Sequence, residues 1–431
     1  MTAQDAYAAK RRPAHDVIDL IGDGDTVVVP TGAGEPPAIL QALSDRRREK
    51  HGVTVAQILP LRRFDYIDPE TVQNVRHTAY FLNAPTRAAA QEGWVEYYPH
   101  FFFESAGFIR DGFFPCDVAV TMASPMDKHG YFSISLATDY TMAALKRARV
   151  VILEVNPGVP FAYGDCHIHI DDVTAVVEDD QPVTAVGLPQ IGPVQKAIGG
   201  YVADMIPDGA TLQIGYGAIP DAVVMQLTDR RDLGIHTEMM GDGILSLVEA
   251  GVVTNRKKNI ERGHMRATFA LGSQRLYDFM DHNPAVQMHP VDVVNDPFRI
   301  GMHDGMHTVN ATMQVDLFGQ CCSESMGFTP YSGTGGQVDF TRGANRSAGG
   351  KAFIVLPSTA KNDTISRIVP TLTPGAHVTT GKNDVNYVVT EYGVAQLRGR
   401  TNKARARALI DIAHPDFRAE LTEAAERMRL L

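Results

Sequence analysis

Glu238 is the carboxylate whose neighbours in the sequence are best suited to chemistry. It lies among small and apolar residues at the end of a predicted strand, and Gly241 and Gly243 leave room beside it. A glutamate is ionised at neutral pH, so it can attack a carbonyl without a separate base. From this segment alone, the alternative is a surface turn residue, with Asp242 as the cap of a helix that begins near Ile244.

A glycine-bearing segment follows the predicted strand Thr211–Ile214 and opens a helix. Glycines let a backbone approach a ligand closely, and the N-terminus of a helix favours a negative group. Pro220 stands where a dinucleotide-binding fingerprint has its third glycine, so a nicotinamide-dependent oxidoreductase is disfavoured. The alternative is a tight strand-to-helix turn. The candidate binding residues of this segment are Gly215, Gly217, Ala218 and Ile219.

A second glycine-rich segment runs from Ser332 to Phe340. Gly335, Gly336 and Gln337 lie in its middle. Closely spaced glycines expose backbone N–H groups, which can bind an anion or form an oxyanion hole. A flexible hairpin loop is the alternative for this segment.

Other reactive side chains favour structural roles. Glu391 precedes an arginine-rich helix, which is typical of a solvated face with ion pairs. His167 and His169 alternate on a predicted strand, but no third metal ligand is evident, so we predict no metal site. Cys321 and Cys322 have no assignable histidine partner, which favours buried structural thiols. The sequence has neither a GxSxG nor a GxxxxGK[ST] motif.

Composition excludes several classes of protein. The net charge of −10 argues against non-specific binding to nucleic acid, which needs a basic face. The four cysteines form no CxxC pair, which argues against a disulfide framework and fits a reducing cytoplasm. The first residues contain no apolar segment typical of a secretory signal, and no run of eighteen apolar residues predicts a membrane span.

The elements that must position these residues alternate between strand-like and helix-like patterns. Near-continuous Val, Ile and Leu runs indicate strands buried on both faces, and such alternation is typical of α/β folds with largely parallel sheets. The predicted strands are 26–30, 117–122, Val150–Val155, Thr211–Ile214 and 352–356. The predicted helices are 37–43, 221–227, 244–250 and 404–413.

A weak internal repeat suggests two similar α/β domains. Residues 21–33 and 206–218 match in several Ile, Asp, Gly, Thr and Ala positions at an offset of 185 (206 − 21), and a proline and an apolar helix follow each copy. The polar stretch 178–193 separates the two halves. We therefore predict an N-terminal domain at residues 1–185 and a C-terminal domain at residues 186–431, the latter carrying Glu238.

Six segments together resemble the acetyl-CoA hydrolase/4-hydroxybutyrate CoA-transferase family, a branch of the class I CoA-transferases. The resemblance covers nearly the whole chain and is most specific in its second half. In length the chain is similar to the shorter bacterial members of the family, which act on small acids. The segments are 116–135, 154–173, 215–227, 236–258, 333–351 and 387–418.

The resemblance implies two α/β domains with an active site in the cleft between them. It implies that Glu238 is the nucleophile and that the segments 215–220 and 335–337 flank the thioester. An asparagine between Glu238 and the segment 335–337 is expected to polarise a carbonyl. Asn295 is our candidate, and Asn310 is the alternative. Lys382 departs from the arginine expected in many relatives, which leaves the role of that position open.

The function implied is CoA transfer from an acyl-CoA, such as acetyl-CoA or succinyl-CoA, to a short-chain acid such as 4-hydroxybutyrate, butyrate or itaconate. A glutamyl-CoA thioester would be the intermediate, with CoA as substrate and with no cofactor or metal. The same residues would serve the alternative, acyl-CoA hydrolysis, and a non-catalytic acyl-CoA sensor is a third possibility. The expected partners are acyl-CoA and small carboxylic acids, in a cytoplasmic homo-dimer or larger homo-oligomer, without nucleic acid or membrane.

Overall fold

The computed structural model describes residues 2–187, 189–215 and 217–431. The chain divides into two compact units. The first contains Met1–Gly187, Met239–Gly241 and Arg266–Val294, and the second contains Leu188–Glu238, Asp242–Met265 and Asn295–Leu431. The first unit thus extends two residues beyond the predicted boundary at 185/186 and also includes two later segments of the chain.

The first unit is built on a seven-stranded sheet in which every neighbouring pair is parallel. Its central strands are rich in Val, Ile, Leu and Ala, and all their residues are buried, because helices cover a parallel sheet on both sides. In spatial order the strands are Ala175–Glu178, Val150–Val155, Val118–Ala123, Thr26–Val29, Val53–Ile58, Val75–Phe81 and Glu96–Tyr97.

The helices of the first unit are short, with four to nine residues each. Pro37–Asp45, for example, begins with a proline, whose fixed φ suits the first helical turn, and buries Ile39, Leu40 and Leu43. The other helices are Ala3–Lys10, Ala14–Val17, Ala84–Gln91, Ser105–Asp111, Thr141–Arg147, Gln274–Met280 and Val291–Val294.

The second unit contains a six-stranded sheet with five parallel strands and one antiparallel edge strand. In spatial order its strands are Gly234–Ile235, Thr211–Ile214, Met306–Ala311, Lys351–Val355, Tyr387–Thr390 and Gly393–Gln396. The prediction of an α/β fold with largely parallel sheets is therefore confirmed.

The helices of the second unit include two that begin directly after glycines of the predicted loops. These are Ala218–Met225, which follows Gly217, and Gln337–Arg346, which follows Gly336. The other helices are Pro193–Ala203, Asp242–Glu249, Pro297–Gly301, Asn402–Asp411 and Pro415–Arg427.

Both units also contain shorter strands of two or three residues outside the two large sheets. These are Tyr131–Ser133, Tyr163–Gly164, His167–His169, Met239–Met240, Met265–Ala267, Phe269–Ala270, Val286–Met288, Gln314–Asp316, Cys321–Cys322, Ser325–Met326, Thr329–Pro330, Thr359–Ala360, Ile365–Ser366 and Ile368–Val369.

The internal repeat corresponds to a repeated structural element. Thr26–Val29 and Thr211–Ile214 are both parallel strands with parallel neighbours on each side, and their bounds differ by the same 185 residues, 211 − 26. Each strand leads into a glycine-containing turn and then a helix. Among the described residues, every helix is too short or too polar to cross a bilayer.

Candidate active site

Glu238 lies at the carboxyl end of the parallel sheet in the second unit. The strand Gly234–Ile235 precedes it, and the N–H of His236 continues the pairing by donating to the carbonyl of Leu212 at 3.0 Å. His236 and Thr237 are fully buried, whereas Glu238 is partly exposed. The backbone is therefore fixed up to the residue that presents the carboxylate. Ligand sites of parallel sheets lie at this edge.

Asn295 holds one oxygen of this carboxylate. Its Nδ2 donates to Oε2 of Glu238 at 2.7 Å and lies 3.3 Å from Oδ2 of Asp339. The amide orientation follows from these partners, since a side-chain oxygen facing two carboxylates would be repelled. Asn295 is fully buried and precedes Asp296, whose side chain caps the helix Pro297–Gly301 by accepting from the N–H of Phe298 at 2.8 Å. The start of a helix thus fixes the amide.

Gly336 closes the site from a third direction. A Cβ atom at this position would overlap Oε2 of Glu238 and come within 2.5 Å of Nδ2 of Asn295. Gly335 has a φ of +55°, which side chains rarely tolerate. Gln337 is the first residue of the helix that follows, and its Nε2 donates to Oγ1 of Thr380 at 3.1 Å. The two glycines are needed for different reasons, one for space and one for conformation.

Asp339 is a member of this cluster that the sequence did not reveal. It is 1% exposed and lies in the first turn of Gln337–Arg346. The sequence separates it from Glu238 by 101 residues (339 − 238), so only the packing of the second unit brings the two together. The glycines just before it are the one signal that could have drawn attention to it.

Asn310, the alternative candidate, has another role. Its Nδ2 donates to Oε1 of Gln213 at 3.1 Å, and its Oδ1 accepts from Nε2 of Gln213 at 3.3 Å. The two amides thus pair across neighbouring strands, Met306–Ala311 and Thr211–Ile214. The geometry favours Asn295 over Asn310 as the group that acts on Glu238.

The segment 215–220 lies at the same edge of the sheet, directly after the strand Thr211–Ile214. A Cβ on Gly215 would lie 2.9 Å from the carbonyl oxygen of Val309, so the backbones there are close. Gly217 has a φ of +127° and caps the helix that contains Ala218 and Ile219. Tyr216, the middle residue of the predicted loop, lies outside the described residues.

A cavity of about 360 Å³ borders this segment. Gly217, Ala218 and Ile219 line it, and Met313, Val355 and Pro357 make much of the remaining wall apolar. Arg367 supplies a cation, and burial lowers the pKa of its guanidinium below the ordinary value. Such a cavity suits a largely apolar chain that carries an anionic or carbonyl group.

Three further positions that the sequence singled out have structural partners. Asp242 is the first residue of the helix Asp242–Glu249, which begins two residues earlier than predicted. Burial and the neighbouring Asp242 raise the pKa of Asp221 to about 6. Glu391 accepts hydrogen bonds from the backbone N–H and the hydroxyl of Ser358, at 2.9 and 2.5 Å. The carbonyl of Lys382 accepts from a guanidinium N–H of Arg405 at 2.6 Å.

Comparison with known proteins places this arrangement in a family. The acetyl-CoA hydrolase/transferase N-terminal domain matches residues 1–187, and the corresponding C-terminal domain matches residues 272–425. The chain is similar to a succinyl-CoA:cyclohexane-1-carboxylate CoA transferase of Geobacter metallireducens, with 52% identity over 95% of this chain and 93% of the relative. It is also similar to a 4-hydroxybutyrate coenzyme A transferase of Clostridium kluyveri, with 44% identity over 98% of both chains.

A solved structure has the same fold throughout. RipA from Yersinia pestis superimposes with a TM-score of 0.95, at 37% identity and over the whole of both chains. Two domain matches, relatives of nearly equal length and a shared fold lead to one conclusion: the chain belongs to the acetyl-CoA hydrolase/transferase family.

Proposed function

We propose that the chain is a CoA-transferase in which Glu238 forms covalent intermediates with the acyl group and with CoA. The observation that carries this proposal is the contact between Glu238 and Asn295. A partly exposed carboxylate has one oxygen held at 2.7 Å by a buried amide, beneath a glycine that leaves no room for a side chain. Binding alone would need no carboxylate at such a position, which argues against an acyl-CoA sensor.

The first half-reaction converts an acyl-CoA into an enzyme thioester. An oxygen of Glu238 attacks the acyl carbonyl, the C–S bond breaks, and a mixed anhydride and CoA thiolate form. The thiolate then attacks the side-chain carbonyl carbon of Glu238, which gives the enzyme–CoA thioester and releases the first acid as its carboxylate. The second acid reverses both steps. The energy of the thioester bond is retained throughout, so the sequence of steps uses no ATP.

Asn295 is suited to stabilise the charge that these steps develop. In each attack on Glu238 the carbonyl oxygen becomes an oxyanion, and the oxygen already held by Asn295 is Oε2. A donor aimed at a developing oxyanion contributes roughly 3 kcal/mol of transition-state stabilisation. Because Nδ2 also lies 3.3 Å from Asp339, the amide is oriented before substrate arrives and loses little entropy on reaction.

The relatives guide the choice of substrates. One is named for succinyl-CoA and cyclohexane-1-carboxylate, the other for 4-hydroxybutyrate. We propose acetyl-CoA or succinyl-CoA as donor and a small mono- or dicarboxylate as acceptor, including 4-hydroxybutyrate, butyrate and itaconate. The cavity beside Gly217, with apolar walls and Arg367, is the place where such a chain with a polar end would fit.

The enzyme is expected to transfer CoA far faster than it hydrolyses acyl-CoA. A hydrolase needs a base that activates water beside the thioester. Asp242, the carboxylate nearest to Glu238 in sequence, lies in the first turn of a helix beside Asp221. Asp339, the carboxylate that also contacts Asn295, is 1% exposed and therefore has little access to water. Initial rates measured against both substrates should give parallel double-reciprocal lines, as a ping-pong mechanism requires.

The measurement is CoA release and new acyl-CoA formation, followed by mass spectrometry, with each donor and a panel of acceptor acids. The panel holds acetate, butyrate, 4-hydroxybutyrate, itaconate, succinate and cyclohexane-1-carboxylate, and a reaction without acceptor is the control. If CoA were released from acyl-CoA at the same rate without an acceptor as with each acid of the panel, the chain would be a hydrolase.

We further propose a cytoplasmic homo-oligomer that needs no cofactor or metal. All four cysteines are free thiols and three of them are buried, which supports a reducing compartment. The chemistry above proceeds with side chains and CoA alone. Light scattering of the purified protein tests the oligomeric state.

A further inference from the structure

His236, Glu261 and His303 form a cluster in the second unit, and His236 precedes Glu238 by two residues in the chain. Nε2 of His303 is 3.0 Å from Nδ1 of His236, and Oε2 of Glu261 is 3.4 Å from the same His236 atom. The side chains of the two histidines are at most 1% exposed, and that of Glu261 is 9% exposed. Groups of this type so far from solvent are maintained only when their mutual contacts compensate the loss of water.

Two cations balance the charge of Glu261. Lys258 has a fully buried side chain; its Nζ lies 3.9 Å from Oε2 of Glu261 and donates to the carbonyls of Ile235 and His264 at 3.0 and 2.7 Å. A guanidinium nitrogen of Arg299 lies 3.6 Å from Oε1. Glu261 itself has a φ of +53°, a conformation that persists where surrounding contacts enforce it.

The three ligand atoms also resemble a metal site, because two imidazoles and a carboxylate lie within 4.8 Å of one another. The charges argue against this interpretation. A divalent ion would share a single carboxylate with Lys258 and Arg299, and the three cations would repel each other in a region of low dielectric. The contact between the two imidazoles and the ion pairs of Glu261 with Lys258 and Arg299 require no additional cation.

The cluster connects the backbone segments that supply the active site. His236 and Glu238 are separated by one residue of the chain that continues the edge strand. His303 follows the helix Pro297–Gly301, and Asn295 precedes it, so one short helix of five residues has a cluster member at one end and the catalytic amide at the other.

The helix Gln337–Arg346, which follows Gly336, also contacts this cluster. The hydroxyl of Ser347, just after the helix Gln337–Arg346, donates to the carbonyl of His303 at 2.5 Å. The ring of His236 lies 6.3 Å from that of Phe340 in the same helix, one turn beyond Gly336. The segments that carry Glu238 and Asn295 therefore each lead directly to a cluster member, and the helix after Gly336 packs beside His236 and His303.

We propose that His236, Glu261 and His303 act as positioning residues, termed here the histidine clamp, which set the distance between Glu238 and Asn295. The inference rests on the proposed function, because it assigns a role relative to the nucleophile. None of the three side chains needs to touch substrate. Catalytic groups must be held within about 0.5 Å of productive geometry, and a shift of about 1 Å can cost on the order of 10²-fold in rate.

The test compares His303→Leu, which removes the ring nitrogen, with His303→Gln, whose Nε2 can occupy a similar place. The readout is the single-turnover rate of enzyme–CoA thioester formation, followed by intact-protein mass spectrometry, alongside acyl-CoA affinity and thermal midpoint. His303→Leu should slow thioester formation by on the order of 10²-fold with acyl-CoA affinity preserved, and His303→Gln should recover most of the rate. Glu261→Gln keeps the shape of the side chain and removes its charge, and it should also slow thioester formation. This second variant tests the proposal even if His303→Leu does not fold.

The matched control is His307→Asn. His307 is equally buried in the same unit, and its Nδ1 contacts the carbonyl of Gly305 at 2.8 Å, outside the clamp. An equal loss of rate in His307→Asn, a wild-type rate in both His303→Leu and Glu261→Gln, or a stoichiometric metal in the purified protein would overturn the inference. Turnover retained by Glu238→Ala would instead overturn the proposed function, so the two failures are distinguishable.

Discussion

Glu238→Ala should abolish CoA transfer, with a loss on the order of 10³-fold or more, because no other group replaces a covalent nucleophile. The change should leave folding nearly intact, since Glu238 is partly exposed and substitutions at such positions cost little stability. Transfer between acetyl-CoA and an acceptor acid gives the rate, and the thermal midpoint gives the stability. Glu238→Gln serves as the matched control for shape, because its amide oxygen can still accept from Asn295, and it should be as inactive as the alanine variant.

Covalent capture identifies the residue directly. Wild-type protein incubated with acyl-CoA and then with borohydride should carry a reduced side chain at position 238 alone, found by peptide mass spectrometry. Neither variant should be modified. Labelling at another glutamate, or near-normal turnover in Glu238→Ala, would reject Glu238 as the nucleophile.

Gly336→Ala should have the second largest effect, although it adds only one methyl group. That Cβ would occupy the space of Oε2 of Glu238 and press on Asn295, so the carboxylate must move from the position in which the amide holds it. A displacement of about 1 Å can lower the rate on the order of 10²-fold, and Gly336→Val should lower it further. The thermal midpoint should change much less than activity, because the neighbouring Glu238 is partly exposed and can shift.

Two other glycines serve as comparisons. Gly381→Ala places its Cβ in open space at an ordinary φ, so activity should stay at the wild-type level. A Cβ atom at Gly217 would have no neighbour within 4 Å, but a φ of +127° strains any side chain there, so Gly217→Val should lower activity by distorting the turn that borders the cavity. Wild-type kinetics in both Gly336 variants would show that this loop lies away from the reaction.

The strands and loops were predictable where the signal is local. Val150–Val155 and Thr211–Ile214 have the predicted bounds, since a continuous apolar run between turn residues is typical of a strand buried on both faces. The helix at Asp242 begins two residues earlier than predicted, because the sequence shows no feature that distinguishes a cap from a first helical residue there.

The contacts of the site could not be predicted from sequence, because they depend on which strands and helices become neighbours. Asn295 and Asn310 both lie between the motifs, and only the pairing of Asn310 with Gln213 separates their roles. Asp339, His303 and Glu261 lie 101, 65 and 23 residues from Glu238 in sequence (339 − 238, 303 − 238 and 261 − 238). No local pattern indicates such distant partners.

The hydrogen bond from Asn295 to one oxygen of Glu238 determines how many ¹⁸O atoms the Glu238 carboxylate can take up during turnover. In each turnover the attacking oxygen of Glu238 leaves with the released acid, and an oxygen of the incoming acid replaces it. If Asn295 keeps Oε2 as the carbonyl oxygen throughout, only Oε1 takes part in this exchange. Many turnovers with an ¹⁸O-labelled acceptor should then place one heavy atom in Glu238. A carboxylate that flips between turnovers would accumulate two, so the isotope count reports how firmly the amide holds its partner.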